Sequence, residues 1–258
     1  MKHELLIIIP AYNEEESIGT FLSALSDSSI TDIADVIVIN DASSDQTASI
    51  VCALGFPVIS HPYNLGYGTA LQTGYKYACD HHYRYLIQMD ADGQHDICNI
   101  TRIYECLLSK DAPDIVIGSR FFKESKSFAI SLVKKLAIRF FQKAIYAASR
   151  QRVTDPTSGL QGLNATAFSY YAQFGNFDNN YPDANMIIQM ALLGFHIKEI
   201  PAVMHERKAG QSMHFGIIEP FLYMCIMLFS TSNVFIRGKR NLLAKPTFPP
   251  ERADHEKK

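Results

Sequence analysis

The chain has no tryptophan and only five cysteines, Cys52, Cys79, Cys98, Cys106 and Cys225. Their number is odd, none stand at C-x-x-C spacing, and their sequence neighbours are mostly apolar. That pattern excludes a disulfide framework and predicts reduced core residues in a cytoplasmic protein. Charge of one sign is also lacking, since 24 Lys and Arg face 26 Asp and Glu for a net charge of −2. Bulk nucleic-acid binding is excluded on that ground. The apolar run Leu5–Ile9 is too short for a signal-peptide core and ends in Pro10, so no export signal is read there. Core-forming residues, by contrast, are plentiful: 47% of the 258 residues are hydrophobic, with 16 Phe and 13 Tyr. One folded domain with appendages is expected rather than a disordered or fibrous chain.

Short apolar runs alternate with helix-length segments. Leu5–Ile9, Val36–Ile39, Val58–Ser60, Tyr85–Met89 and Ile115–Ile117 read as strands. Between them, Glu15–Leu25, Asp45–Leu54, Gly68–Cys79 and Ile97–Leu108 carry apolar positions three and four apart, and Gly55 reads as a helix stop. This alternation predicts an α/β fold with a mostly parallel central sheet and crossover helices. Ligands of such sheets bind at the carboxyl ends of the strands.

That rule gives meaning to three polar clusters: Pro10-Ala11-Tyr12-Asn13-Glu14 after the first strand, Asn40-Asp41 after the second, and Asp90-Ala91-Asp92-Gly93-Gln94 after the fourth. All three line one crevice. A crevice rich in carboxylates repels an anionic diphosphate unless a divalent cation lies between them. Mg²⁺ or Mn²⁺ is therefore expected, with Asp90, Asp92 and Gln94 as oxygen donors. Asp45 is read as a cap of the helix it precedes, leaving Asp41 for the ligand. Gly66, Gly68 and Gly74 do not match a dinucleotide fingerprint, because Leu71 stands where the third glycine belongs. Among the nine histidines the adjacent pair His81-His82 reads as a solvated helix end, and His95 lies beside the expected metal.

In order and spacing, these clusters resemble the family 2 glycosyltransferases of GT-A fold. Further matching segments are Asn64-Leu65-Gly66-Tyr67-Gly68, Gly118-Ser119-Arg120, Asp155-Pro156-Thr157-Ser158-Gly159 and Arg207-Lys208-Ala209-Gly210-Gln211-Ser212. The nearest branch looks like the polyprenyl-phosphate sugar transferases of the dolichol-phosphate mannosyltransferase type. The resemblance implies that Pro10, Tyr12 and Glu14 hold the nucleoside of a UDP- or GDP-sugar, with Asp41 on the base. It implies that Asp90, Asp92 and Gln94 handle metal and diphosphate. Arg120, Arg139 and Arg207 would face phosphates, with Ser212 near the same loop, and transfer would invert the anomeric centre. Two departures stand out: Asn40 replaces the first of a usual Asp pair, and Met213 stands where a Lys commonly follows Ser212.

The acceptor decides whether a base is needed. A polyprenyl phosphate such as undecaprenyl phosphate is already ionised, and cationic positioning by Arg139 and Arg207 suffices. A glycan hydroxyl needs a carboxylate base. Asp183 is the leading candidate, with the alternative of an N-cap for Met186–Leu193; Asp155 is the second, with the alternative of a turn at Pro156. A non-catalytic binding homologue would keep the fold without turnover, and the intact Asp90, Asp92, Gln94, Arg120 and Arg207 argue against it.

Two segments suggest a membrane. Phe128–Ala148 reads as an amphipathic helix with Lys135, Arg139 and Lys143 on one side and Leu132, Leu136, Phe140 and Phe141 on others. Phe215–Ile236 is apolar but interrupted by Glu219, Pro220 and Asn233, which suits an interfacial or docking helix better than a span. The expected organisation is a GT-A domain over 1–212, with a nucleotide-binding half to 120 and an acceptor half from 121. A membrane-associated or docking helix over 213–240 and a disordered tail over 241–258 follow. Such a protein would sit peripherally on the cytoplasmic face of the membrane and serve cell-envelope glycan synthesis, with a small integral membrane protein as a possible partner.

Overall fold

A computed structural model of the chain describes residues 3–122, 125, 132–205, 226 and 229–237. The elements in chain order are β1 (Leu5–Ala11), α1 (Ile18–Ser26), β2 (Ala34–Asn40), α2 (Thr47–Ala53), β3 (Val58–Ser60), α3 (Tyr67–Asp80) and β4 (Tyr85–Gln88). They continue with α4 (Cys98–Leu107), β5 (Ile115–Ser119), α5 (Leu132–Ser149), β6 (Gln161–Asn164), α6 (Ala165–Ala172), α7 (Ala184–Leu192) and β7 (Ile197–Pro201). All seven strands form one sheet in the order β3-β2-β1-β4-β6-β5-β7. Only β6 runs antiparallel to its neighbours.

β1 is buried along its whole length, so its side chains serve two cores in alternation. Leu6 and Ile8 join the core that includes Leu71, Tyr75, Phe168, Ile187 and Phe195. Leu5, Ile7 and Ile9 join the opposite one with Leu22, Val51, Ile100 and Ile103. This is the two-residue period of a strand covered by helices on both faces. The chain passes from β1 to β2 and β3 on one side and places β4 on the other, so the sheet switches direction between β1 and β4. A crevice opens at such a point outside the carboxyl ends.

The expected helices are present within a few residues of their ends. Asp45 accepts hydrogen bonds from the Thr47 N–H and hydroxyl at 3.0 and 2.5 Å, as its capping role requires. Burial opposes ionisation of its carboxyl, but these bonds and that from Glu15 hold it below the ordinary carboxylate value. Gly55, at φ 79°, ends α2.

Two expectations need correction. None of the four described cysteines is in a disulfide, but only two are near a core: Cys79 and Cys106 are half-buried against the two cores, while Cys52 and Cys98 are exposed. Successive residues of a helix do not share a face, so Val51 is buried while Cys52 points out with the exposed Ala53 and Leu54. On α5, Phe140 and Phe141 part for the same reason. Phe141 is buried with Ile138 and Ile145, whereas Phe140 is 47% exposed beside the exposed Arg139 and Lys143.

Residues 229–237 form a helix whose Val234 and Thr231 are buried and whose Phe229 and Ile236 are exposed. No helix among the described residues is long and apolar enough to cross a membrane. The expectations for Arg207, Ser212, Met213, most of 215–228 and the tail fall outside the described residues.

Candidate active site

The sheet brings the three polar clusters to one edge. β1 and β2 are in register so that Ala11 pairs with Asn40, and β4 lies on the other side of β1 with Ile8 opposite Gln88. The segments that leave these strands, from Tyr12, Asp41 and Met89 onward, therefore emerge side by side.

On the nucleoside side, Tyr12 is 49% exposed and offers a ring face. Asn13, at φ 53°, ties the first loop to the second: its backbone N–H donates to Ser43 Oγ at 3.0 Å, and its side-chain oxygen accepts from Ser44 N at 2.8 Å. Glu14 N donates to Thr47 Oγ1 at 2.8 Å, and its carboxylate accepts from Ser17 Oγ at 2.7 Å. Pro10 lies within β1 opposite Ile39.

Asp41 is 3% exposed. Its carboxylate accepts from Leu65 N at 2.9 Å and Gly66 N at 2.8 Å, and meets His61 Nδ1 at 2.7 Å. His61 reaches Thr73 Oγ1 with its other nitrogen at 2.9 Å. Asp41 thus fastens the loop that starts α3. Asn40 uses its amide differently from a carboxylate, donating to Ser60 Oγ at 3.1 Å while its oxygen accepts from Ser43 N at 3.1 Å. Asn40 therefore ties the end of β2 to β3 and to the loop that follows it.

The cation side is built around Asp90, whose side chain is 31% exposed. Tyr67, the first residue of α3, donates its hydroxyl to Asp90 Oδ1 at 2.9 Å. Burial, and then the charge and hydrogen bond of Asp90, raise the Tyr67 phenol well above its ordinary value, so it remains the donor. Gly159 completes the cradle, since a Cβ there would lie 2.7 Å from Asp90 Oδ2 and 3.3 Å from the Tyr67 hydroxyl. Asp92 is 9% exposed and accepts from Gln94 N at 2.9 Å, which closes the loop into a turn with Gln94 half-buried. The loop is stitched to the segment after β7: His205 N donates to Gln94 O at 2.7 Å, and Asn99 exchanges two hydrogen bonds with Val203.

Two carboxylates and an amide suit a hard cation. No group of three or more His, Cys, Asp or Glu side chains converges as a metal cage among the described residues. Asp90, Asp92 and Gln94 offer oxygen donors of the kind a hard cation takes together with diphosphate oxygens.

Arg120 departs from expectation. Its Nε and Nη2 donate to the two carboxylate oxygens of Asp155 at 2.7 Å each, its backbone N–H adds a third bond at 2.9 Å, and Nη2 also reaches Thr157. Asp155 is fully buried, so it is neither an accessible base nor a simple turn residue. Burial works against the charge of Arg120, but the hydrogen bonds and charge of Asp155, with those of Asp183 and Asp90 behind them, raise its pKa overall. The Arg120 side chain, 13% exposed, thus commits its Nε and Nη2 to Asp155 and Thr157. Glu199 on β7 supports the pair from behind, accepting from Thr154 N at 2.7 Å and Asp155 N at 2.8 Å, and burial pushes its carboxyl up.

Asp183 occupies the N-cap position of α7, yet its side chain makes no cap hydrogen bond. Asn185 takes that part: its Oδ1 accepts from Asp183 N at 2.8 Å and Met186 N at 2.9 Å. The Asp183 charge is felt by both Tyr67 and Arg120, as is that of Asp90. Asp178 anchors the loop before it, accepting from Asn180 N, Tyr181 N and Asn185 Nδ2 at 2.8–3.1 Å. This loop crosses the start of α3 so closely that a Cβ on Gly68 would lie 2.3 Å from Asp178 O.

Sequence reasoning assigned no role to Tyr67, Gly159, Glu199 or Asn185. A signal existed for three of them. Tyr67 sits inside Asn64-Leu65-Gly66-Tyr67-Gly68, Gly159 closes Asp155-Pro156-Thr157-Ser158-Gly159, and Glu199 is a lone acid in a short strand. Arg139, expected near phosphates, lies exposed on α5.

A mostly parallel sheet with an acidic, aromatic-lined crevice at its switch point defines the GT-A class of nucleotide-sugar transferases. The chain belongs to glycosyl transferase family 2, whose family model matches residues 6–171. It is 30% identical over 224 residues to an undecaprenyl-phosphate mannosyltransferase of Micrococcus luteus, covering 83% of this chain and 89% of that one. It is 26% identical to a dolichyl-phosphate hexose transferase of Haloferax volcanii, covering 84% and 88%. Glucosyl-3-phosphoglycerate synthase of Mycobacterium tuberculosis, solved with Mn²⁺, UDP-glucose and phosphoglyceric acid, shares the fold with a TM-score of 0.65 at 17% identity over 89% of this chain and 79% of that one.

Proposed function

We propose that this family 2 glycosyltransferase moves a sugar from a UDP- or GDP-sugar to a polyprenyl phosphate, with inversion and with Mg²⁺ or Mn²⁺, at the cytoplasmic face of a membrane. The observation that carries the reading is the crevice where Tyr67 orients Asp90 and Gly159 leaves room beside them. The names of the relatives supply the lipid phosphate acceptor. Tyr12 stacks on the base, and Asp41 shapes the base pocket through the loop it holds. Asp90, Asp92 and Gln94 hold the cation, which when bound supplies Lewis-acid neutralisation of the leaving diphosphate. Arg120 moderates the negative field of the crevice from within, while Arg139 and Arg207 serve the acceptor phosphate.

Exposed Arg139, Phe140, Lys143 and Tyr146 along α5, with Phe229 and Ile236 exposed on the last described helix, suit an anionic lipid surface. A small integral membrane protein would find its docking site on the same C-terminal helix, and the product would feed cell-envelope glycan synthesis. The test is transfer of labelled sugar from UDP- and GDP-sugars to undecaprenyl phosphate in vesicles, with and without a chelator. Metal-dependent labelled lipid is expected; transfer that survives full chelation overturns the metal role.

A further inference from the structure

His95 follows Gln94 directly and is 6% exposed, yet its Nδ1 has no hydrogen-bond partner. Its other nitrogen, Nε2, lies 3.8 Å from Asp90 Oδ2, too far for a hydrogen bond. A buried imidazole left this way is costly, and such orphans call for a reason. Backbone pairing explains why it stays: His95 bridges Met204, so the ring is held in place by its own chain. With a carboxylate ahead of it, the favoured tautomer carries the proton on Nε2, because a lone pair there would face the negative oxygen of Asp90. Asp90 is thus flanked on two sides, with Tyr67 donating to Oδ1 at 2.9 Å and the His95 N–H aimed at Oδ2 across a short gap.

We infer that His95 is a positioning residue for the cation: its Nε2–H closes on Asp90 when metal and diphosphate draw the carboxylate into place, fixing which oxygen faces the ion. This rests on the reading of Asp90 as a cation ligand. Partners of this kind orient ligating groups, and their loss typically lowers metal affinity about 10–100-fold.

The test is calorimetric titration of UDP and GDP into the full chain across a Mn²⁺ series, together with metal-free melting. His95→Leu is expected to raise the Mn²⁺ concentration needed for half-maximal nucleotide binding by at least about tenfold. Its metal-free melting temperature should not fall, since the substitution also removes a buried orphan. His95→Gln, which keeps an N–H at the reach of Nε2, should return the midpoint to within about threefold of the parent. Should His95→Leu fail to fold, His95→Asn, whose amide stops short at the Nδ1 position, replaces it with the same expectation. Unchanged midpoints, or a stable His95→Gln as weak as His95→Leu, overturn the inference. Absence of any Mn²⁺ dependence in the parent is a different result: it overturns the cation site itself, and this inference with it.

Discussion

Asp183 and Asp92 are the residues whose replacement separates chemistry from stability. Asp183 makes no cap hydrogen bond, so Asp183→Asn should leave the start of α7 capped as before, by Asn185. If the acceptor is an ionised lipid phosphate, turnover should fall less than about tenfold. A loss of about 10²–10⁴ is the signature of a general base and would move the acceptor to a hydroxyl. Asp92→Asn keeps the acceptor for Gln94 N but removes a charge, so metal-dependent nucleotide binding should disappear from a folded protein; unchanged affinity takes Asp92 out of the site. At this scale the sequence showed which residues are polar and where they leave the strands. It did not show which of them are consumed by each other. Asp41 and Arg120 read as ligand contacts because their partners, the backbone of Leu65 and Gly66 and the carboxylate of Asp155, lie 24–35 residues away along the chain.

The elements follow from hydrophobic period and caps. β1 and α3 were legible because a five-residue apolar run and a regular three-four spacing leave little choice. β6, β7 and α6 were not singled out: Gln161–Asn164 is a strand of only four residues including one glycine, and β7 is half-buried along its whole length. What joins these elements is the buried chain Arg120–Asp155–Glu199. Asp155→Ala removes the fully buried partner that takes both guanidinium bonds of Arg120, and denaturant unfolding should show a loss of about 3–5 kcal/mol; a loss below 1 kcal/mol would mean the pair is not buried in solution. Asp45 links the first helices to pH. Its carboxyl is depressed, so the stability it adds is present above the unfolded value of about 3.9 and is lost as pH falls through its lower folded value. Melting across pH 5 to 2 should therefore fall less steeply for Asp45→Asn than for the parent, and equal slopes would contradict that.

For the whole molecule, fold and family were readable from the order of seven short motifs, because one sheet edge collects residues distant in sequence. The proposed membrane contact was readable only in part. α5 carries exposed Arg139 and Lys143, but its apolar stripe of Ile138, Phe141 and Ile145 is spent on the core, and only Phe140 and Tyr146 of its large apolar side chains are exposed among the described residues. Arg139→Glu with Lys143→Glu should weaken binding to anionic vesicles about fivefold per charge, at ~1 kcal/mol each, and leave melting unchanged; full retention would shift the contact to the C-terminal helix or to a partner. The central claim is the lipid phosphate acceptor. Its most direct test is mass spectrometry of the lipid fraction after incubation with Mn²⁺, a panel of UDP- and GDP-sugars, and either undecaprenyl phosphate or undecaprenol. The account predicts one new sugar-linked lipid, formed from the phosphate alone. A product from undecaprenol, or none from the phosphate while nucleotide binding persists, would contradict it.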